Sequence, residues 1–217
     1  MAKETWKKWF SYIIPQTKYV KSEVNGHLEV GWIEGRKVLD SQHANYSYGP
    51  LQDVLEYGLK QMSLDKVNTV LVLGMGAGSI IQSLRNKFCY TKSIVAVEFD
   101  PVIIQIAEEE FGIVANNQLE IHCKDAENFV ENDKRTYDLI IVDVFVDKDV
   151  PEEFYGNKFW RNLNLRANPN AQILFNAGVE NLDKKFQDSF LNKLPKTFKY
   201  NIHTDVLGGN TLILLEK

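Results

Sequence analysis

The sequence predicts an α/β domain: a mostly parallel sheet with helices on both faces, closed by a C-terminal antiparallel hairpin and preceded by a small antiparallel β meander. Three observations predict it. First, unbroken apolar runs, TVLVL at Thr69–Leu73, IVAVE at Ile94–Glu98 and LIIV at Leu139–Val142, alternate with helix-length stretches. Strands that are apolar on both sides belong to a sheet covered on both sides. Second, the runs Phe198–Thr204 and Thr211–Glu216 have only Asp205–Asn210 between them, which permits a hairpin and no crossover helix. Third, the runs before Pro50 are short, partly alternating and separated by turn residues, as in a meander.

In chain order, Lys18–Val24, Leu28–Ile33 and Lys37–Asp40 are the meander strands. Asn25-Gly26 joins the first two as a candidate two-residue turn, since both positions of a type I′ turn need positive φ. Glu34-Gly35-Arg36 joins the next two. From Pro50, residues Leu51, Val54, Leu55 and Leu59 recur at helical spacing, with proline suited to the first helical position. Thr69–Leu73 is then a strand, and Ser79 to about Phe88 a helix. Ile94–Glu98, Leu119–His122, Leu139–Val142 and Gln172–Asn176 are further strands. Pro101–Phe111, Ala126–Asn132 and Asp183–Leu194 are helices. Domain organisation follows: residues 1–50 hold an N-terminal helix and the small meander, and residues 51–217 hold the main sheet.

Composition narrows the function classes. The 217 residues carry 25 Lys and Arg against 29 Asp and Glu, a net charge of −4, which argues against a dedicated nucleic-acid surface. Hydrophobic residues make up 44% of the chain, enough for a sizeable core. The two cysteines, Cys89 and Cys123, form no CxxC or Cys/His cluster, so no metal site is expected. Two reduced thiols of a cytoplasmic protein are the simpler reading, with a single disulfide still open. No apolar run reaches membrane-helix length and no secretory signal follows Met1–Phe10, so neither a membrane nor export is expected. Trp6, Trp9, Phe10 and Ile13 suit a terminal helix that packs on its own domain or on a second subunit, ahead of a membrane-surface or partner helix.

The chemistry-bearing residues fall at the carboxyl ends of the parallel strands, where α/β sheets place ligands. Gly74, Gly76 and Gly78 follow a buried strand and open a helix. Glycines allow a tight turn and close backbone approach, and the helix start offers free N–H groups. The spacing is GxGxG, not GxGxxG, and no GK[ST] follows. Glu98 ends the next strand, where a carboxylate can accept bonds from both ribose hydroxyls; a solvated strand end is the plain alternative. Asp100, before Pro101, suits a helix N-cap. Asp125 suits either an adenine amino group or an N-cap. Asp143 ends the fourth parallel strand and would share the crevice with Gly76 and Glu98. Asp147 and Asp149 follow in a loop and are equally readable as a solvated charge run. Val144–Gly156 is the candidate lid. His27, His43, His122 and His203 show no metal or triad spacing, and no GxSxG elbow is present.

The segments Val70–Gly78 (VLVLGMGAG), Val95–Pro101 (VAVEFDP) and Tyr137–Asp143 (YDLIIVD) resemble the S-adenosylmethionine-dependent methyltransferase fold, more closely its spermidine synthase (aminopropyltransferase) branch. Leu39-Asp40-Ser41 and Asn45–Tyr48 resemble the LDG…DExxYHE region of that branch. The resemblance covers roughly residues 38–177 and the closing hairpin. It implies a Rossmann-like class I methyltransferase sheet, S-adenosylmethionine or its decarboxylated form bound by Gly74, Gly76, Gly78, Glu98, Asp125 and Asp143, a small-molecule acceptor, and a homodimer. Asp143 and Tyr48 are the catalytic candidates it implies, with Tyr46 and His43 also on the acceptor side.

Departures from the family pattern share a direction. The GGGDG acid is Ala77 here, both acids, the His and the final Glu of DExxYHE are lost, and DSxDP reads Asp143-Val-Phe-Val-Asp147. The family's cofactor-binding Gln has only Gln42 as a loose counterpart. A polycationic acceptor and an ammonium-tailed cofactor both need carboxylates. The sequence therefore places methyl transfer from full S-adenosylmethionine to a small molecule ahead of aminopropyl transfer in polyamine synthesis. A catalytically silent nucleoside-binding or assembly protein of the same fold is the other alternative.

Overall fold

In the computed structural model, residues 16–33, 35–41, 45–146, 149–178 and 184–217 are described. The aromatic N-terminal segment, His43, Gln42 and Asp147, each singled out in the sequence, lie outside them. The first sheet is a four-stranded antiparallel meander, β1 (Gln16–Ser22), β2 (Gly26–Ile33), β3 (Arg36–Ser41) and β4 (Asn45–Ser47), in that order. Its first turn differs from the two-residue Asn25-Gly26 reading. Ser22 pairs with Gly26, leaving Glu23-Val24-Asn25 as a three-residue loop. The Ser22 hydroxyl accepts bonds from the N–H groups of Val24 (2.9 Å) and Asn25 (3.0 Å), and Gly26 alone takes positive φ, at 69°. A side chain bonding its own turn favoured the longer loop.

The second sheet has seven strands. In chain order, α1 (Pro50–Lys60), β5 (Thr69–Leu73), α2 (Ser79–Asn86), β6 (Ser93–Glu98), α3 (Pro101–Phe111), β7 (Leu119–Cys123), α4 (Ala126–Asn132) and β8 (Tyr137–Val142) come first. A 3₁₀ turn at Glu152–Tyr155, α5 (Asn157–Arg166), β9 (Ala167–Asn176), α6 (Lys184–Leu191), β10 (Lys199–Val206) and β11 (Asn210–Glu216) follow. The sheet order is β10-β11-β9-β8-β5-β6-β7. Strands β9, β8, β5, β6 and β7 are mutually parallel; β11 runs antiparallel to both β9 and β10. This is the Rossmann-like class I methyltransferase sheet with its terminal antiparallel hairpin and its preceding meander. Among the described residues no helix is long and apolar enough to cross a membrane.

The apolar strand runs have a direct cause. Alternate residues of one strand enter different cores: Val70 and Val72 face one, Leu71 and Leu73 the other, and Ile94/Ala96 against Val95/Val97 repeat the division. With helices on both faces, no polar face is left to show a two-residue period. Glycine 58 lets α1 lie close on the sheet, since a Cβ there would meet Leu174 Cδ1 at 2.6 Å.

Three elements escaped the sequence reading, the first being the short β4, which makes the expected three-stranded meander four-stranded. The 3₁₀ turn and α5 occupy much of what read as loop, held by an aromatic core of Tyr155, Phe159, Trp160, Phe175 and Phe190. The Trp160 indole donates to the Phe154 carbonyl at 2.8 Å, and the Tyr155 hydroxyl to that of Ala177 at 2.9 Å. The second half of the candidate lid is therefore packed structure, though Glu153 and Phe154 still line the cleft together with Val144, Phe145, Val146 and Pro151.

The meander docks on α3 at both ends of that helix. At its start, Asp100 caps the Val102 N–H (2.8 Å) through one oxygen. Its other oxygen accepts from the Ser22 hydroxyl and from Asn25 Nδ2. In its last turn, Glu110 takes the Lys37 ammonium at 2.8 Å.

Candidate functional site

Strand β5 lies between β8 and β6, so connections leave it in opposite directions and a crevice opens at the carboxyl ends, as in other open α/β sheets. The crevice here is a cleft of about 580 Å³, with Gly74, Met75, Gly76, Glu98, Asp125 and Asp143 on its walls. The glycine turn is fixed by tight backbone packing. Gly74 and Met75 donate to the Val97 carbonyl at 3.0 and 2.9 Å, and Asp143 N donates to the Leu73 carbonyl at 2.9 Å. Gly74, at φ 80°, leaves no room for a Cβ, which would lie 2.1 Å from the Asp143 carbonyl oxygen. Gly78 caps α2 in left-handed geometry at φ 88°.

Glu98 is fully buried and held by three backbone donors. Its Oε2 accepts from Gly76 N at 2.8 Å, and its Oε1 accepts from Phe99 N at 2.9 Å and Asp100 N at 3.1 Å. Burial pushes its carboxyl above the usual range, opposed by these bonds. Asp125 sits at the cleft wall and also caps α4, accepting from Asn128 N at 2.8 Å. The N-cap reading is thus observed, and its carboxylate also borders the cleft.

Asp143 keeps one face toward the cleft but is otherwise enclosed by protein. Burial pushes its carboxyl up to about 7, with the Glu98 charge adding and a bond from Asn176 opposing. Asn176 is completely buried; its Nδ2 donates to Asp143 Oδ1 at 2.9 Å, and its Oδ1 accepts from Asn210 Nδ2 at 3.0 Å and Gly178 N at 3.3 Å. A carboxyl with its proton poised near neutrality, oriented by a fixed amide, suits general base work.

Tyr48 does not share this site. It is buried behind the glycine turn, its ring stacked on Phe111 at 4.3 Å and its hydroxyl 3.4 Å from the Ala77 carbonyl. It borders a separate polar groove with Gln52, Glu56 and Glu110. Its neighbours Ser47 and Pro50 line the cleft, while the Tyr48 ring turns the other way, onto Phe111. Ala77 is likewise wholly buried in the core and is absent from the cleft walls.

Sequence reasoning missed three amides. Asn25 reaches the cleft from the meander turn, and its buried Oδ1 has no hydrogen-bond partner among the described residues. Asn176 and Asn210 orient Asp143. A nucleoside fits these groups: an apolar slot beside Phe99 and Ala126, a carboxylate at Glu98, and an acceptor atom at Asn25 left without a donor.

Comparison with known proteins agrees with this geometry. The spermine/spermidine synthase domain family matches residues 57–207. The eEF1A lysine and N-terminal methyltransferase homolog of Drosophila melanogaster is 26% identical over 156 residues, 65% of this chain and 23% of that protein. The polyamine aminopropyltransferase of Vibrio vulnificus is 29% identical over 117 residues, 52% of this chain and 36% of that one. The chain thus spans well under half the length of either. A crystal structure of a probable spermidine synthase from Corynebacterium glutamicum superimposes with a TM-score of 0.65 at 17% identity, covering 94% of this chain and 77% of that one. With the family match running from within α1 to the end of β10 and the neighbour's fold extending over the meander, the chain belongs to the spermine/spermidine synthase domain family.

Proposed function

We propose that this chain is a transferase that binds S-adenosylmethionine or its decarboxylated form in the cleft and moves one of its groups onto a small-molecule acceptor. The observation that carries this is the convergence of the Gly74–Gly78 turn, the buried Glu98 carboxylate and Asp143 on one cleft. When bound, the cofactor supplies a carbon activated by its sulfonium together with the leaving group. Glu98, preset by three backbone donors, and Asn25, from the meander, hold the ribose. The glycine turn lets the backbone approach the rest of the nucleoside. Asp143, steadied by Asn176, takes the proton from an acceptor nitrogen as the new bond to carbon forms and the carbon–sulfur bond breaks.

For the group that moves, family membership favours aminopropyl transfer, and the aminopropyltransferase relative supports the same reading. This reverses the order read from the sequence alone. One structural observation supports methyl transfer as the second reading: Ala77, where the family carries an acid, is sealed in the core, so no carboxylate at that position meets an ammonium tail. Calorimetric titration of the chain with both cofactor forms, followed by product mass, tests the proposal. Binding of either form with transfer supports it. Binding of neither overturns it, and transfer from only one form decides between the two groups.

A further inference from the structure

The cleft divides along the sheet. The ends of β6 and β7 carry its nucleoside half, with Glu98, Phe99 and Asp125. Beyond Asp143 the walls come from the start of α1, the loop after β8 and the β10–β11 hairpin. In that second half the described wall residues are mainly apolar, Leu51 and Val54 on α1, Val146 in the loop and Leu207 on the hairpin, while Ser47 and Asn210 are neutral. Among the described residues its carboxylates are Asp143 on the floor and Glu153 on the exposed rim.

The apolar character extends to solvent. Val146 and Leu207 are exposed large hydrophobics on this half of the cleft, while Val24 and Phe99 are exposed at its nucleoside end. Exposed apolar side chains at the mouth of a concave site mark a ligand of like character. Leu207 is also held there by an unusual backbone. It has φ 46°, beside Gly208 and Gly209 at 110° and 117°, and the β10–β11 register shifts between His203 and Val206. Leucine rarely adopts left-handed geometry, and such outliers gather where a site needs them.

We propose that the acceptor is an amphiphilic monoamine whose apolar body lodges between α1 and the hairpin tip and whose nitrogen meets Asp143. This rests on the transferase reading above and names its substrate class. A chain with a second ammonium group midway along it would set unpaired charge against Leu51, Val54 and Leu207, since of the described carboxylates Asp143 meets the reacting nitrogen and Glu153 lies out at the exposed rim.

The test is calorimetry on the full chain, first with 5′-methylthioadenosine and S-adenosylhomocysteine, then with amines in the presence of whichever nucleoside binds. Butylamine, hexylamine and octylamine should tighten by about three- to fourfold per added methylene. Hexylamine should bind at least about tenfold more tightly than 1,6-hexanediamine, a difference of about 1.4 kcal/mol. Leu207→Asp, at a solvent-facing position, should weaken hexylamine and strengthen the diamine while leaving the unfolding temperature in place. Equal or tighter diamine binding, or affinity independent of chain length, overturns the proposal while nucleoside binding keeps the transferase reading. Failure of both nucleosides to bind overturns the two together.

Discussion

At Gly74 the whole site rests on one missing methyl group. A Cβ would meet backbone, the Asp143 carbonyl oxygen at 2.1 Å, at a φ of +80° that L residues disfavour. Gly74→Ala is therefore expected to destabilise the fold by about 3 kcal/mol or more, read as a lower urea midpoint at unchanged slope. Asp143 predicts a pH signature. Its carboxyl ionises near 7 rather than the ordinary 3.8, so between those values the folded chain keeps a proton that the unfolded chain has released. Its contribution to stability falls as pH rises from about 4 to about 7 and is flat above. Asp143→Asn should remove that slope, leaving the variant more stable than the parent at about pH 8 and equal to it at about pH 4, read by denaturant titration. Transfer activity in the parent should rise through about pH 7, and the variant should lack that limb. Tyr48→Phe checks a different point. The hydroxyl lies behind the turn with a 3.4 Å bond to a carbonyl, so kcat/KM should change by less than about twofold and stability by under about 1 kcal/mol; a loss of activity of a hundredfold would restore Tyr48 to the catalytic role that the family resemblance implied.

Among the elements, α3 joins the meander to the site. Asp100 caps it and holds the Ser22–Asn25 turn, which presents Asn25 to the cleft. Asp100→Ala removes a cap and two bonds to the turn together, an expected loss of about 2–3 kcal/mol, and hydrogen exchange should then quicken in β1 and β2 before β5. A uniform increase across both sheets would show that the meander does not open separately. The legibility of each element follows from where its determinants lie. Strands β5, β6 and β8 could be read because burial on both faces writes itself as consecutive Val, Ile and Leu. Gly74, Glu98 and Asp143 could be read because they directly end those strands. The 3₁₀ turn and α5 could not, since α5 starts at Gly156 without a side-chain cap and is held by aromatics from β9 and α6. Asn25, Asn176 and Asn210 meet only after three distant segments fold. Tyr48 misled because closeness in sequence to α1 does not say which side of the glycine turn a ring will occupy.

For the whole molecule, the cleft gathers residues from the meander turn, α1, the parallel strand ends and the C-terminal hairpin, so a bound nucleoside ties both sheets together. Binding to the folded chain alone stabilises it by about 2.7 kcal/mol at a hundredfold excess over Kd. For a chain of this size each kcal/mol moves the midpoint by about 2–4 °C, so the unfolding temperature should rise by roughly 5–10 °C. Because Asn25 belongs to the meander and Glu98 to the main sheet, each variant should reduce this shift from a different side. Glu98→Ala should abolish it, since the carboxylate proposed to hold the ribose is gone and three backbone donors are left without a partner. Asn25→Ala, a half-buried residue with an unpaired Oδ1, should keep the main sheet intact and lose only part of the shift, by about 1–2 kcal/mol of binding. Scanning calorimetry of parent and both variants, with and without S-adenosylhomocysteine, reads all three. If Asn25→Ala retains the full shift, the meander merely lies beside the nucleoside and the two sheets are not coupled through it.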